Sequence, residues 1–110
     1  MIIGVAGPYS AASEEEREAN LNRLNNAAAE LLALGHVPIV GVNAALPVVN
    51  KYPQNPYPDI MRISMAVLQV CEGLLFLAES PGANREREYM ISKGLPVYYS
   101  IAEILDNPSN

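Results

Sequence analysis

Short apolar runs alternate with longer amphipathic segments along this chain. The apolar runs span residues 1–6, 36–42, 73–78 and 95–99, and turn-forming residues border most of them. Unbroken apolar runs of this length are typical of strands that are covered on both faces, as in parallel sheets. The pattern therefore predicts four strands, the second of which carries Pro38 and is expected to lie at an edge or to begin irregularly.

The segments between these runs show helical spacing of their apolar residues. Ser13 and Glu16 have the spacing of a capping box, and the helix that follows is expected to end at Gly35. Further helices are predicted over 59–70, over 83–93 and, after Ser100, at the end of the chain. The proline-rich segment 43–58 predicts a short helical turn over 44–49 and otherwise a loop, which is often a binding loop in a compact domain.

Strands that alternate with helices imply right-handed βαβ units around a parallel sheet. The 110 residues have the size of one domain. We therefore predict a single α/β domain over residues 1–110, Rossmann-like (flavodoxin-like), with a mainly parallel sheet of four to five strands and helices on both faces. Ligands of such sheets bind beyond the carboxyl ends of the strands. Two segments arrive there: residues 79–86 after the third strand, and Gly7, Pro8, Tyr9 and Ser10 after the first.

Composition and charge narrow the classes of partner. The formal net charge of −5 argues against a nucleic-acid polymer, which needs a basic surface, but allows a small anionic ligand. No stretch approaches the ~20 apolar residues of a membrane span, and the first residues lack the basic start of a signal peptide. One cysteine and one histidine exclude an internal disulfide and a multi-histidine metal site. We expect a cytoplasmic protein with no membrane partner, and Cys71 as a buried apolar residue.

The segment from Ser80 to Glu86 is the strongest candidate for chemistry. A strand ends there, a Pro-Gly turn follows and a helix begins, so that free N–H groups around Gly82 and Ala83 and the hydroxyl of Ser80 can hold an anion. Glu86 is expected in the first helical turn, where the helix dipole would keep it ionised and nucleophilic. A glutamate in a first turn also occurs for stability alone, and this interpretation stays open.

The sequence resembles the nucleoside 2-deoxyribosyltransferase superfamily, including its branch that hydrolyses nucleoside 5′-monophosphates. The resemblance covers most of the chain. The matching pieces are Ala6-Gly7-Pro8-Tyr9, the long helix ending in Gly35-His36, Cys71-Glu72, Ser80-x-Gly82-Ala83-x-x-Glu86 and Gly94-Leu95-Pro96-Val97.

The resemblance implies a mechanism and a set of roles. Glu86 would attack the anomeric carbon to form a glycosyl-enzyme intermediate, after which water or a second base takes the sugar. Ser80 matches the serine of members that bind a 5′-phosphate, and Tyr9 would flank the sugar or the nucleophile. The resemblance also implies no metal or organic cofactor, and a homodimer or higher homo-oligomer in which a neighbouring subunit completes the pocket.

One position departs from the family pattern. Ser64 stands where the resemblance implies an aspartate that holds the sugar hydroxyls or assists the leaving base. Asn43 follows the second strand and is expected either to reach the base or to cap a turn. The leading hypothesis is therefore cleavage or transfer of the N-glycosidic bond of a nucleoside 5′-monophosphate or nucleoside. One alternative is a non-catalytic nucleotide-binding or sensing module, which the serine favours. The other is a purely structural or partner-binding domain.

Overall fold

A computed structural model describes residues 1–106 of the chain. Strands and helices alternate through most of these residues. The elements are β1 (Ile2–Ala6), α1 (Glu14–Ala33), β2 (Val37–Ile39), α2 (Gly41–Val49), α3 (Pro56–Leu68), β3 (Gly73–Phe76), α4 (Pro81–Ser92), β4 (Val97–Tyr98) and α5 (Ile101–Asp106).

The four strands form one parallel sheet in the order β2-β1-β3-β4. Gly4 of β1 lies opposite Ile39 on one side and Leu74 on the other, so β1 and β3 are the central strands. The predicted α/β, Rossmann-like fold is confirmed, with four strands among the described residues. Within residues 1–106, no helix combines the length and the apolar character needed to cross a membrane.

Alternate residues of the central strands supply two separate cores, because successive side chains of a strand point to opposite faces. On one face Ile3, Val5 and Leu75 pack with Leu24 and Leu31 of α1. On the other face Ala6, Leu74 and Phe76 pack with residues of α3 and α4, including Leu68 and Met90. Helices therefore cover both faces of the sheet, as the unbroken apolar runs predicted. Cys71 belongs to the second core and is 4% exposed, which confirms its expected burial.

The helices α2 and α3 each begin three residues before their predicted starts. The apolar run 36–42 contains only the three residues of β2, and its last two residues already belong to α2. The third helix begins at Pro56, three residues before the predicted start, so Asp59 lies in its first turn. The fixed backbone angle of proline suits the first turn of a helix, so α3 takes up residues 56–58 of the predicted loop and leaves residues 50–55 between α2 and α3.

The strand order creates a crevice at one edge of the sheet. From β1 the chain passes through α1 to β2 on one side, whereas from β3 it passes through α4 to β4 on the other side. The two connections leave the central strands in opposite directions. The position between β1 and β3 is therefore a topological switch point of the sheet, and ligands of such sheets bind in the crevice there. The carboxyl ends of β1 and β3 therefore mark the expected site.

Candidate functional site

A cavity of about 170 Å³ opens at this switch point. Three parts of the chain form its wall: the loop after β1, the helical pair α2 and α3, and the start of α4. Its lining residues are Gly7, Tyr9, Ser10, Val42, Tyr57, Ile60, Met61, Ser64, Ser80, Pro81, Gly82, Ala83 and Glu86. Most of the residues singled out from the sequence therefore meet at one place.

The start of α4 offers fewer free donors than the sequence suggested. Ser80 is the N-cap, and its Oγ accepts a hydrogen bond from the Ala83 amide at 3.1 Å. The Asn84 amide donates to the Ser80 carbonyl at 2.8 Å. Pro81 has no N–H group, so within residues 1–106 the Gly82 amide is the one uncommitted amide of this turn. The hydrogen of the Ser80 hydroxyl can still be donated, because its oxygen is the acceptor in the cap.

Glu86 lies two residues further from the start of its helix than predicted, because α4 begins at Pro81. It is the sixth residue of α4, which begins at Pro81, and the effect of the helix dipole is concentrated in the first turn. The carboxylate is partly buried and has no hydrogen-bond or ion-pair partner within residues 1–106. Burial raises its pKa from 4.5 to about 7. The expectation that the helix dipole keeps Glu86 fully ionised is therefore wrong.

A carboxyl group with this pKa is divided between its ionised and protonated forms near neutral pH. The ionised form is a nucleophile and a proton acceptor, and the protonated form is a proton donor. Because the group carries no structural hydrogen bond in the described part of the chain, neither form is committed to holding the fold together.

Ser64 contributes an unsatisfied hydroxyl to the same cavity. Its side chain is 3% exposed, and its Oγ has no hydrogen-bond partner within the described residues. An unmade hydrogen bond of a buried polar group costs about 1–3 kcal/mol. A ligand that enters the cavity and bonds to this hydroxyl would recover that energy.

The loop after β1 brings three of its four predicted residues into the cavity wall. Gly7, Tyr9 and Ser10 line the cavity, whereas Pro8 does not. The Tyr9 carbonyl accepts a hydrogen bond from the Asn20 side chain at 3.0 Å, which ties the loop to α1. The Tyr9 side chain is therefore presented from an anchored backbone.

Asn43 lies outside the cavity wall. Because the chain turns into α2 directly after β2, Asn43 becomes a helical residue and is exposed. Its side chain exchanges hydrogen bonds of 2.6 and 3.4 Å with that of Asn25 on α1. The predicted contact between Asn43 and a base is not part of this geometry.

Sequence reasoning missed Tyr57 and Met61. Both lie on α3 and line the cavity together with Ile60 and Ser64. The Tyr57 Oη is 4.0 Å from the position that a Cβ atom would take on Gly82, and the Met61 Sδ is 3.0 Å from it. The signal was present, since Pro56 can start a helix and residues 57, 60, 61 and 64 have helical spacing.

Among the described residues, the cavity wall contains no lysine, arginine or histidine, and Glu86 is its one carboxylate. Two nearby arginines, Arg87 and Arg62, have other partners. Arg87 stacks on the Phe76 ring at 4.3 Å and is 3.8 Å from Glu79, and Arg62 is 3.9 Å from Asp59. Among residues 1–106, no three His, Cys, Asp or Glu side chains converge as a metal site requires.

A family model matches residues 1–99, which include all four strands and the whole cavity wall. The chain belongs to the DUF4406 family. This family is described as a domain of unknown function. Neither the curated proteins nor the solved structures contain a significant match to the chain. The cavity is therefore the feature of this DUF4406 domain from which a function can be inferred.

Proposed function

We propose that this DUF4406 domain cleaves the N-glycosidic bond of a nucleoside 5′-monophosphate or nucleoside, with Glu86 as the nucleophile. The observation that carries the proposal is the partly buried carboxylate of Glu86 in the cavity at the switch point, which has no partner among residues 1–106. The resemblance to the nucleoside 2-deoxyribosyltransferase superfamily supports it, because Glu86 occupies the position of that family's nucleophile.

The reaction proceeds in two displacements. A Glu86 oxygen forms a bond to C1′ of the sugar as the bond from C1′ to the base breaks, and the departing electron pair stays on the base nitrogen. The base takes a proton from solvent. Water then attacks C1′, its proton passes to solvent, and the Glu86 carboxylate is released. A carboxylate next to C1′ stabilises the oxocarbenium character of both transition states, as in retaining glycosidases. A second base in place of water would make the reaction a transfer.

The other cavity residues have distinct roles in this proposal. Ser80 and the Gly82 amide bind the 5′-phosphate at the start of α4, and Tyr9 flanks the sugar. Gly7, Ser10 and Ala83 shape the wall around it, and the Ser64 hydroxyl bonds to a sugar hydroxyl. No metal or organic cofactor takes part in these steps.

The size of the cavity supports a homodimer. Ligand sites of drug-sized molecules enclose about 300–1,000 Å³, whereas this cavity encloses about 170 Å³. One chain therefore surrounds a part of a nucleotide the size of its sugar, and a neighbouring subunit would cover the rest. We place this enzyme in the cytoplasm, where nucleotides are available.

A non-catalytic nucleotide-binding module is the second candidate. The neutral Ser64 favours it, because the resemblance implies an acidic residue at this position that acts in catalysis. Such a module would show a higher melting temperature with nucleotide and would release no base.

Base release from a panel of ribo- and deoxyribonucleosides and their 5′-monophosphates, followed by chromatography, tests the proposal. Glu86→Gln is the test variant, and Glu88→Gln is its control because Glu88 is exposed on the same helix. We expect release that Glu86→Gln abolishes and Glu88→Gln retains. Release that survives Glu86→Gln would exclude Glu86 as the nucleophile. A rise in melting temperature without any release would favour the binding module.

A further inference from the structure

The start of α4 is by itself a weak phosphate site. Within the described residues it presents one uncommitted amide, that of Gly82, and one donatable hydroxyl, that of Ser80. A phosphate monoester has three terminal oxygens that accept hydrogen bonds. In the part of the chain that the structure describes, the cavity wall supplies no cationic side chain to balance its charge. A further donor at this end of the cavity would complete the site.

Tyr57 is placed to be that donor. It lies in the first turn of α3 and forms the part of the wall that faces the start of α4. Its Oη is 4.0 Å from the Cβ position of Gly82, so the hydroxyl lies over the residue whose amide is uncommitted. Within residues 1–106 the Tyr57 hydroxyl has no hydrogen-bond partner, and the residue is 41% exposed.

The packing around Gly82 keeps this end of the cavity open, and Ser64 gives separate evidence that a ligand binds in the cavity. Gly82 has no side chain, and a Cβ atom there would lie 3.0 Å from the Met61 Sδ and would narrow the gap below Tyr57. The Ser64 hydroxyl, which is buried and unpartnered, lines the same cavity seven residues further along α3. This unsatisfied group is independent evidence that a polar ligand completes the cavity.

We propose that Tyr57 donates its hydroxyl hydrogen to the 5′-phosphate of the substrate and thereby gives this DUF4406 domain a preference for nucleoside 5′-monophosphates over nucleosides. This inference rests on the proposed function, because it takes the ligand of the cavity to be a nucleotide. Tyr57 is a specificity-determining residue in this arrangement, since it contacts the phosphate and takes no part in the bond change at C1′.

The test compares kcat/KM for deoxynucleoside 5′-monophosphates with kcat/KM for the matching nucleosides. In Tyr57→Phe the ring remains and only the hydroxyl is lost, so the fold and the cavity wall stay intact. Loss of a hydrogen bond to a charged group typically lowers kcat/KM roughly ten- to a hundredfold, because such a bond makes a large contribution to the free energy of binding. We expect this loss for the monophosphates, and a change of less than about twofold for the nucleosides, which have no phosphate to contact.

Tyr52→Phe is the matched control, because Tyr52 is 72% exposed and does not line the cavity. It should leave both substrates unaffected. An equal loss for both substrates in Tyr57→Phe, or no loss for either, would overturn the phosphate contact while leaving the glycosidase proposal standing.

A binding measurement separates failure of this inference from failure of the proposed function. If the wild-type protein releases no base, isothermal titration of the same monophosphates and nucleosides replaces the kinetic assay. Tighter binding of the monophosphates that Tyr57→Phe removes would support the phosphate contact without catalysis. Equal affinity of the wild-type protein for both ligands, or no binding of either, would overturn it.

Discussion

The Ser64 hydroxyl oxygen lies 2.8 Å from the position that a side-chain carbon would take on Gly41, the first residue of α2. The same position is 3.1 Å from the Ser64 Cα atom, so the backbone of α3 itself comes close to α2. This approach is possible only because residue 41 is glycine. The contact between Gly41 and Ser64 packs the segment after β2 against α3, the helix that carries the buried Ser64 hydroxyl.

Gly41→Ala should therefore destabilise the protein. The added methyl group would force α2 and α3 apart, and overpacking of this kind costs about 1–3 kcal/mol. The free energy of unfolding from urea denaturation measures the effect. In a Ser64→Gly background the same substitution should cost less, because the nearest two side-chain atoms are gone. An equal cost in both backgrounds would contradict the contact.

Ser64→Ala should have opposite effects on stability and on ligand binding. Without ligand, removal of an unsatisfied buried hydroxyl should leave the free energy of unfolding unchanged or raise it by up to about 1 kcal/mol. Base release and nucleotide affinity should fall, because the hydroxyl that bonds to the sugar is lost. Ser13→Ala is the contrasting variant: it removes the N-cap of α1, whose Oγ accepts from the Glu16 amide, and should cost about 1 kcal/mol.

The raised pKa of Glu86 makes stability depend on pH. The carboxyl titrates near 4.5 when unfolded and near 7 when folded, so between these values the folded state binds more protons. The free energy of unfolding should therefore fall as the pH rises from about 4.5 to about 7. Glu86→Gln removes this dependence. It should be more stable than the wild type at pH 8 by at most about 3 kcal/mol, with little difference at pH 4.5. Parallel denaturation curves for the two proteins across this range would contradict the raised pKa.

The same pKa sets the pH profile of base release. A nucleophilic Glu86 must be ionised, so kcat/KM should rise about tenfold per pH unit below pH 7 and level off above it. A nucleoside is the substrate for this measurement, because it carries no phosphate that titrates in the same range. A profile that instead falls as the pH rises through 7 would indicate that protonated Glu86 acts as an acid.

Much of the fold follows from the sequence because its signals are local. Runs of apolar residues between turn residues located the four strands, and the Ser13–Glu16 spacing located the start of α1. The alternation of strands and helices then led to a parallel sheet, and the rule for such sheets placed the site at the loops after β1 and β3. Ser80, Glu86 and Tyr9 were found in this way and line one cavity.

Only the tertiary structure determined which other residues line the cavity and how the Glu86 carboxylate is protonated. The Gly41–Ser64 approach joins residues 23 positions apart in the sequence, and Tyr57 reaches Gly82 only because α3 packs beside α4. Because α2 begins at Gly41, Asn43 lies on a helix outside the cavity wall. Glu86 has a raised pKa because packing removes its carboxylate from water, and desolvation depends on every element around a group. Local patterns therefore determined the elements and the edge of the sheet that holds the site, whereas contacts between distant segments determined its donors, its shape and the protonation of its carboxylate.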